Sequence, residues 1–105
     1  MTRYEINRED DRIKIKIVGD LDIESTELFE EELLPIMVAE RSVVLNLKEV
    51  PFIDSSGIGI LINSIQTLNE LKIHFLISEV RKEVMDILEL LQVPDIVGRE
   101  IFANG

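Results

Sequence analysis

The residues with the clearest chemical potential are two adjacent serines, which follow an aspartate and precede a glycine at the predicted start of a helix. They lie in the segment Asp54-Ser55-Ser56-Gly57-Ile58-Gly59. A helix N-terminus presents free backbone N–H groups and a partial positive charge, so it stabilises an anion. Such a position is suited to attaching or holding a phosphate on a serine hydroxyl.

A structural role for the same segment is helix capping. Aspartate and serine are preferred N-cap residues, and each stabilises a helix by ~1 kcal/mol. One cap does not need two hydroxyls, however, and Gly57 and Gly59 would each destabilise the first turn by roughly 0.5–1 kcal/mol relative to alanine. The glycines therefore suggest the close approach of another group, and the residues alone leave both roles open.

Other site chemistries find little support in the sequence. A serine hydrolase needs a Gly-x-Ser-x-Gly turn and a histidine base, whereas this chain has Asp-Ser-Ser-Gly and one histidine, His74, in a predicted strand. The sequence has no Gly-Lys-Ser/Thr phosphate loop, no cysteine and no carboxylate spacing typical of a calcium loop. We therefore expect a protein that is not an enzyme and has no metal or cofactor site.

The charge of the chain argues against nucleic acid and membrane surfaces as partners. The net charge is −10, and both nucleic acid and anionic membranes require a basic surface. Between Ile17 and Glu40 there are eight acidic residues and no lysine or arginine. This segment is either a solvated helix face or a surface matched to a basic protein partner.

Length and composition predict one domain over residues 1–105. Apolar residues make up 46% of the chain, which is enough for a core. The first residues lack the apolar region of a signal peptide, and no apolar run approaches the ~20 residues that span a membrane. Together with the lack of cysteine, these features favour a cytoplasmic protein.

Hydrophobic periodicity predicts the elements that must position the serines. The predicted strands lie near residues 4–6, at 12–17, at 43–47 with a continuation over 50–53, and at 73–77, with a short edge strand or turn at 101–102. The predicted helices run from Ser25 to Ala39 with an interruption at Pro35, from Ser55 to about Lys72, and from a cap at Ser78 to Leu91, before Pro94. Asp22 or Ser25 is the predicted cap of the first helix.

The resulting order ββαβαβα predicts an α/β fold, with a small mixed sheet on which the helices pack. The first two strands form an antiparallel hairpin, and the later strands are parallel. Strand-to-helix loops gather at the carboxyl ends of parallel strands. The loops at 19–22 and 54–57 are both of this kind, so we expect them to lie close together.

The segment Val44–Gly59 resembles the signature of bacterial anti-sigma-factor antagonists, the STAS domain family. That signature is an apolar strand followed by Asp-Ser-Ser/Ala-Gly-Leu-Gly. The turn Gly19-Asp20-Leu21-Asp22 is similar to the family's Gly-Glu-Leu-Asp turn. The strand at 73–78 and the helix at 80–91 extend the resemblance, in the family's ββαβαβα order, over nearly the whole chain.

The resemblance implies a switch operated by phosphorylation. In the family, the serine before the glycine is phosphorylated by a partner that is both a serine kinase and an anti-sigma factor. That serine corresponds to Ser56, with Ser55 as the second choice, and Asp22 matches a family aspartate that takes part in partner recognition. The implied protein is a binding module whose unphosphorylated surface, with Asp54, Ser55 and Gly57, docks on the anti-sigma factor and frees the sigma factor. A serine phosphatase would reset it.

Two other roles are compatible with the same fold. One is an assembly role, as a subunit of a large stress-signalling scaffold or as a soluble accessory to a transporter. The other is a sensor that binds a small molecule such as a nucleotide or a lipid. The lack of a phosphate-binding loop and the short chain weigh against the sensor.

Overall fold

A computed structural model describes residues 2–102, which form a four-stranded sheet with helices packed against it. The strands are β1 (Arg3–Glu9), β2 (Arg12–Val18), β3 (Ser42–Glu49) and β4 (His74–Ser78). The helices are α1 (Ser25–Leu28), α2 (Leu34–Met37), α3 (Ser55–Glu70), α4 (Lys82–Leu90) and α5 (Val93–Val97). A π-helical turn spans Phe29–Leu33, and a 3-10 turn spans Arg99–Ile101. Within residues 2–102, no helix has the length and apolar character needed to cross a membrane.

The sheet has the mixed topology that the sequence predicts. Its order is β1-β2-β3-β4, with β1 and β2 antiparallel and β3 and β4 parallel to β2. Alternate residues of β2 and β3 are fully buried, as in Ile15 and Leu45, whereas their neighbours Lys14 and Lys16 are partly exposed. One face of the sheet therefore builds the core with the helices, and this confirms the predicted α/β architecture.

The first helical region runs from Ser25 to Met37 without leaving helical geometry, and we call it the acidic helix. Its middle turn is π-helical, and the N–H of Leu34 donates to the carbonyl of Phe29, five residues earlier. Pro35 follows directly and has no N–H to give to the preceding turn. The predicted interruption at Pro35 therefore takes the form of a widened turn just before the proline.

The N-terminal half departs from the predictions in two details. The connection between β1 and β2 is the two-residue turn Asp10-Asp11, with Asp10 at φ 47°, so β1 is longer than predicted. β3 ends at Glu49, and of its predicted continuation only Ile53 pairs, in a single parallel bridge with Leu21. This bridge brings two loops together, as described below.

The predicted start of the last long helix is wrong. Ser78 does not cap α4, because it remains in β4 opposite Asn46. The chain then passes through a left-handed Glu79 (φ 54°), and α4 begins only at Lys82. Serine can equally end a strand and cap a helix, so its type alone does not decide between the two.

The predicted end of the last long helix is also wrong in part. Leu91 lies just beyond α4 and is exposed, and Gln92 turns the chain with φ 61°. Pro94 then lies in the first turn of α5, where its missing N–H is tolerated, and does not simply end the preceding helix. Phe102 pairs with Ile77 in a parallel bridge, in agreement with the predicted edge segment at 101–102.

Candidate functional site

The acidic loop after β2 and the start of α3 are joined by backbone hydrogen bonds. The N–H of Leu21 donates to the carbonyl of Phe52 at 3.0 Å, and the N–H of Asp54 donates to the carbonyl of Leu21 at 3.1 Å. The two loops therefore lie side by side, as the sequence predicts. This arrangement puts the residue after Leu21, Asp22, on the same edge of the molecule as the two serines.

Asp54 caps α3. Its Oδ1 accepts the N–H of Gly57 at 2.9 Å, and its carbonyl accepts the N–H of Ile58 at 2.9 Å. Within the described chain, the first two N–H groups of the helix, those of Ser55 and Ser56, remain without an intrahelical acceptor. The capping role is therefore filled by the aspartate, and it uses neither serine hydroxyl.

The two serine hydroxyls differ in exposure. Ser55 is exposed, Ser56 is half-buried, and neither hydroxyl has a hydrogen-bond partner among residues 2–102. Exposure alone favours Ser55 as an acceptor. Ser56, in contrast, lines the groove described below.

The two glycines of the motif have different surroundings. Gly57 is buried, and a Cβ at this position would overlap the carbonyl oxygen of Leu21 and lie 2.9 Å from Cγ1 of Ile53. The close approach predicted from the sequence is therefore made here by the chain itself, and the buried Gly57 has no side chain to offer a partner. Gly59 is exposed, and a Cβ built on it would have no atom of residues 2–102 within 4 Å.

Asp22 organises the entry to the acidic helix. Its Oδ1 accepts the N–H of Glu24 at 3.0 Å, and its own N–H donates to Oγ of Ser25 at 3.1 Å. Ser25 is buried, and its hydroxyl also contacts the carbonyl of Asp20 and Oγ1 of Thr2. Neither predicted cap occupies the N-cap position, which is held by Glu24 without a side-chain hydrogen bond.

A groove of about 450 Å³ runs between the acidic helix and α3, and we call it the serine groove. Its lining includes Ile23, Thr26, Glu30, Ser56, Gly59 and Asn63. Ile23 is 72% exposed, although it is a large apolar side chain. Ile23 was not predicted as a site residue. Its position outside the apolar stripe of the helix is the one feature of the sequence that could have indicated it.

The negative charge of the protein is concentrated on the two segments that form the groove. Residues 17–40 and 49–71 together hold 11 of the 21 acidic residues and none of the 11 basic ones. The rest of the chain is almost neutral. Carboxylates are crowded on the acidic helix, where a hydrogen bond to the Glu27 carboxyl and repulsion from it raise the pKa of Glu31.

His74 and the acidic side chains are the groups to consider for hydrolytic or metal chemistry. His74 begins β4 at the opposite end of the sheet from the serines, with its Nδ1 3.5 Å from Oγ of Ser42. Within residues 2–102, no group of three or more His, Cys, Asp or Glu side chains is arranged to hold a metal ion. The features that remain at the serines are hydroxyls, free N–H groups, carboxylates and a groove.

Comparison with known families adds to this geometry. A family model described as the STAS domain matches residues 3–104. The anti-sigma-B factor antagonist of Staphylococcus aureus is 30% identical over 67 residues, which make up 63% of this chain and 62% of that protein. The chain thus spans less than two thirds of the length of the curated relatives it matches.

Solved structures share the fold at lower sequence identity. An anti-sigma factor antagonist from Mycobacterium paratuberculosis superposes with a TM-score of 0.82 at 16% identity, covering 100% of this chain and 87% of that one. The Bacillus cell fate determinant SpoIIAA, in its phosphorylated form, gives a TM-score of 0.72 at 13% identity, covering 98% and 91%. At these identities the likeness concerns the fold.

Proposed function

The chain belongs to the STAS domain family, and on that premise we propose that it is an anti-sigma-factor antagonist switched by serine phosphorylation. The observation that carries the proposal is the pair of serine hydroxyls at the start of α3, beside an acidic loop, which have no hydrogen-bond partner within residues 2–102. The name of the Staphylococcus aureus relative, an anti-sigma-B factor antagonist, supports it. The function requires a cytoplasmic protein, since sigma factors act there.

The proposed partner is an anti-sigma factor with serine kinase activity. The unphosphorylated protein docks through the edge formed by Asp22, Asp54, Ser55 and Ser56, and the anti-sigma factor then releases its sigma factor. Gly57 contributes by keeping the loop of Leu21 against α3, since a side chain there would push the loop away. The protein acts by binding and catalyses no reaction itself.

Phosphorylation of Ser56 would change this edge without refolding the domain. A phosphate adds about −1.5 to −2 charge at neutral pH and three strongly hydrated oxygens. The free N–H groups and the helix dipole stabilise it by roughly 0.3–1 kcal/mol. At the same time it places a hydrated anion in the groove that Ser56 lines, and a docking partner would have to displace its water. A serine phosphatase would restore the binding form.

We expect the cognate kinase to place a single phosphate on Ser56. The test incubates the purified protein and Mg-ATP with each purified serine kinase of the source organism that has a histidine-kinase-like ATPase domain. Peptide mass spectrometry then locates the phosphate, with Ser55→Ala and Ser56→Ala as paired variants. The expected result is loss of phosphorylation in Ser56→Ala alone.

Phosphate found only on Ser55 would overturn the choice of acceptor while keeping the switch. Phosphate at neither serine, with every kinase tested, would overturn the proposed function. Gel filtration of the native protein from its source tests the alternative assembly role. That role predicts elution in a large stable complex and no kinase partner.

Asp22→Asn is expected to weaken kinase binding by about tenfold while leaving the fold intact. The asparagine Oδ1 can still accept the N–H of Glu24, so the turn is kept and only the negative charge is lost. The measurement is the Kd by isothermal calorimetry together with the rate of phosphorylation.

The control for this substitution is Asp11→Asn, which removes the same charge from the turn at the other end of β2. It should bind within about twofold of the parent, since an isolated surface charge contributes little. If Asp22→Asn also bound and reacted like the parent, Asp22 would be a turn residue only.

A further inference from the structure

The serine groove has features that the packing of the chain does not explain. Gly59 lies in α3 with no atom within 4 Å of a Cβ, so alanine would fit there and would favour the helix. Ile23 stands at the groove with most of its side chain in solvent. Ser64 also lines the groove and is 2% exposed. The open surface at Gly59 and the exposed Ile23 leave room in the groove, which we also call the channel, for a side chain from another molecule.

The charge at this channel is uncompensated. Glu32 accepts the hydroxyl of Tyr4, and Glu40 pairs with Arg8 at 2.6 Å, so the acidic side chains facing β1 have partners. Glu30 lines the groove and forms no ion pair within the described residues. On the same helix, outside the groove lining, a hydrogen bond to the Glu27 carboxyl and repulsion from it raise the pKa of Glu31. A cation that entered the groove would relieve this local excess of negative charge.

We propose that the serine groove receives a lysine or arginine side chain from a basic segment of the anti-sigma factor. The proposal rests on the proposed function and names the chemistry by which the partner is recognised. The hydrocarbon stem of such a side chain lies on Ile23 and crosses the bare surface of Gly59. Its charged end reaches Glu30, in the way that long basic side chains bury their stems and keep their charges at polar groups.

The shape and the charge of the groove both favour this occupant over others. A purely apolar side chain would contact Ile23 but would leave the Glu30 carboxylate unpaired as the groove loses water. An acidic or phosphorylated segment would be repelled, since neither segment that forms the groove has a basic residue. A second copy of this chain is the remaining alternative, because the rest of its surface holds all 11 basic residues.

The test measures the Kd of the purified kinase that phosphorylates the parent, at low and at high salt, for three variants. Glu30→Gln removes the charge that meets the cation and should weaken binding by about tenfold at low salt, with a smaller effect at high salt. Gly59→Leu blocks the channel and should weaken binding by about tenfold or more at both salt concentrations. Glu83→Gln, the control, removes the same charge from exposed α4 and should bind within about twofold of the parent.

Thermal melting of each variant checks folding, and Gly59→Leu should melt within a few degrees of the parent, because a Cβ at this position meets no atom of residues 2–102 within 4 Å. Parent-like affinity of both Glu30→Gln and Gly59→Leu would overturn the groove proposal and leave the proposed function standing. If Glu83→Gln weakened binding as much as Glu30→Gln, the effect would come from the overall charge of the protein, and the groove proposal would be overturned. Sedimentation of the protein alone tests whether a second copy of this chain occupies the groove. A dimer that Glu30→Gln dissociates would make another copy the occupant and would overturn the proposal.

Discussion

Gly57→Ala is expected to destabilise the protein by about 2–4 kcal/mol, more than any other single methyl group added to the motif. The new Cβ would overlap the carbonyl oxygen of Leu21 and lie 2.7 Å from its carbonyl carbon, so backbone must move. Movement of Leu21 also strains its hydrogen bond from the N–H of Asp54. The measurement is urea unfolding, supported by a fall in Tm of roughly 10–25 °C at this chain length.

Gly59→Ala is the matched control, since it adds the same methyl group two residues further along the same helix. No atom lies within 4 Å of the new Cβ, so the helix should gain roughly 0.5–1 kcal/mol from the better helix former. The two substitutions should therefore move the free energy of unfolding in opposite directions. A parent-like Gly57→Ala would mean that the loop of Leu21 adjusts freely, and the close packing of loop and helix would lose its structural importance.

Ser56→Asp is expected to fold normally and to bind the anti-sigma factor at least about tenfold more weakly than the parent. Its carboxylate stands at the helix N-terminus, which favours it by roughly 0.3–1 kcal/mol, and the apolar stripe of α3 is buried on the other side. Tm should therefore stay within a few degrees of the parent. Calorimetric titration against the kinase measures the loss of binding.

Two further variants at the same position separate bulk from charge. Ser56→Ala should bind like the parent and resist phosphorylation, since the hydroxyl is the acceptor and no described residue uses it as a hydrogen-bond partner. Ser56→Asn has nearly the size of the aspartate without its charge. Weak binding by both Asn and Asp variants would assign the effect to filling of the groove, whereas weak binding by Asp alone would assign it to charge. An Asp variant that bound as tightly as the parent would contradict the switch.

The sheet and the middle helix could be predicted because their side chains repeat with a clear period. Strict alternation at 12–17 predicts a strand with one buried face, and Ile13, Ile15 and Ile17 are all fully buried. The stripe of α3 is confirmed at Ile58 and Leu61. These patterns depend on neighbours in the sequence, which is why they can be read without a structure.

The ends of the last long helix could not be predicted, because the residues at those points are compatible with two structures. Ser78 is as suitable for the end of a strand as for a helix cap, and pairing with Asn46 decides in favour of the strand. Pro94 can follow one helix or begin another, and the left-handed Gln92 decides in favour of a new one. In both cases tertiary contacts settle what local preference leaves open.

The meeting of the two loops could be predicted from the sequence, but the surface that they form could not. The motif and the strand-to-helix loops indicate Asp22, Asp54 and the serines, and the loop contacts confirm that these segments meet. The sequence could not show that Gly57 packs against the carbonyl of Leu21 whereas Gly59 faces open space, because this difference depends on the tertiary packing of the Leu21 loop. Ile23 belongs to a groove made by two elements, so no pattern within one element could identify it.

Because the charges are unevenly placed, the electrostatic field differs from one side of the protein to another. The protein measures 33 × 28 × 24 Å, several times the ~8 Å over which salt screens charge under physiological conditions. An approaching protein therefore interacts with the charges on the side that it approaches and not with the net charge of −10 as a whole. Because the acidic helix carries four glutamates and no basic residue, a basic protein is attracted to that side before the two surfaces touch. Electrostatic attraction therefore selects the side at which a partner first binds, and the shape of the surface selects the partner after contact.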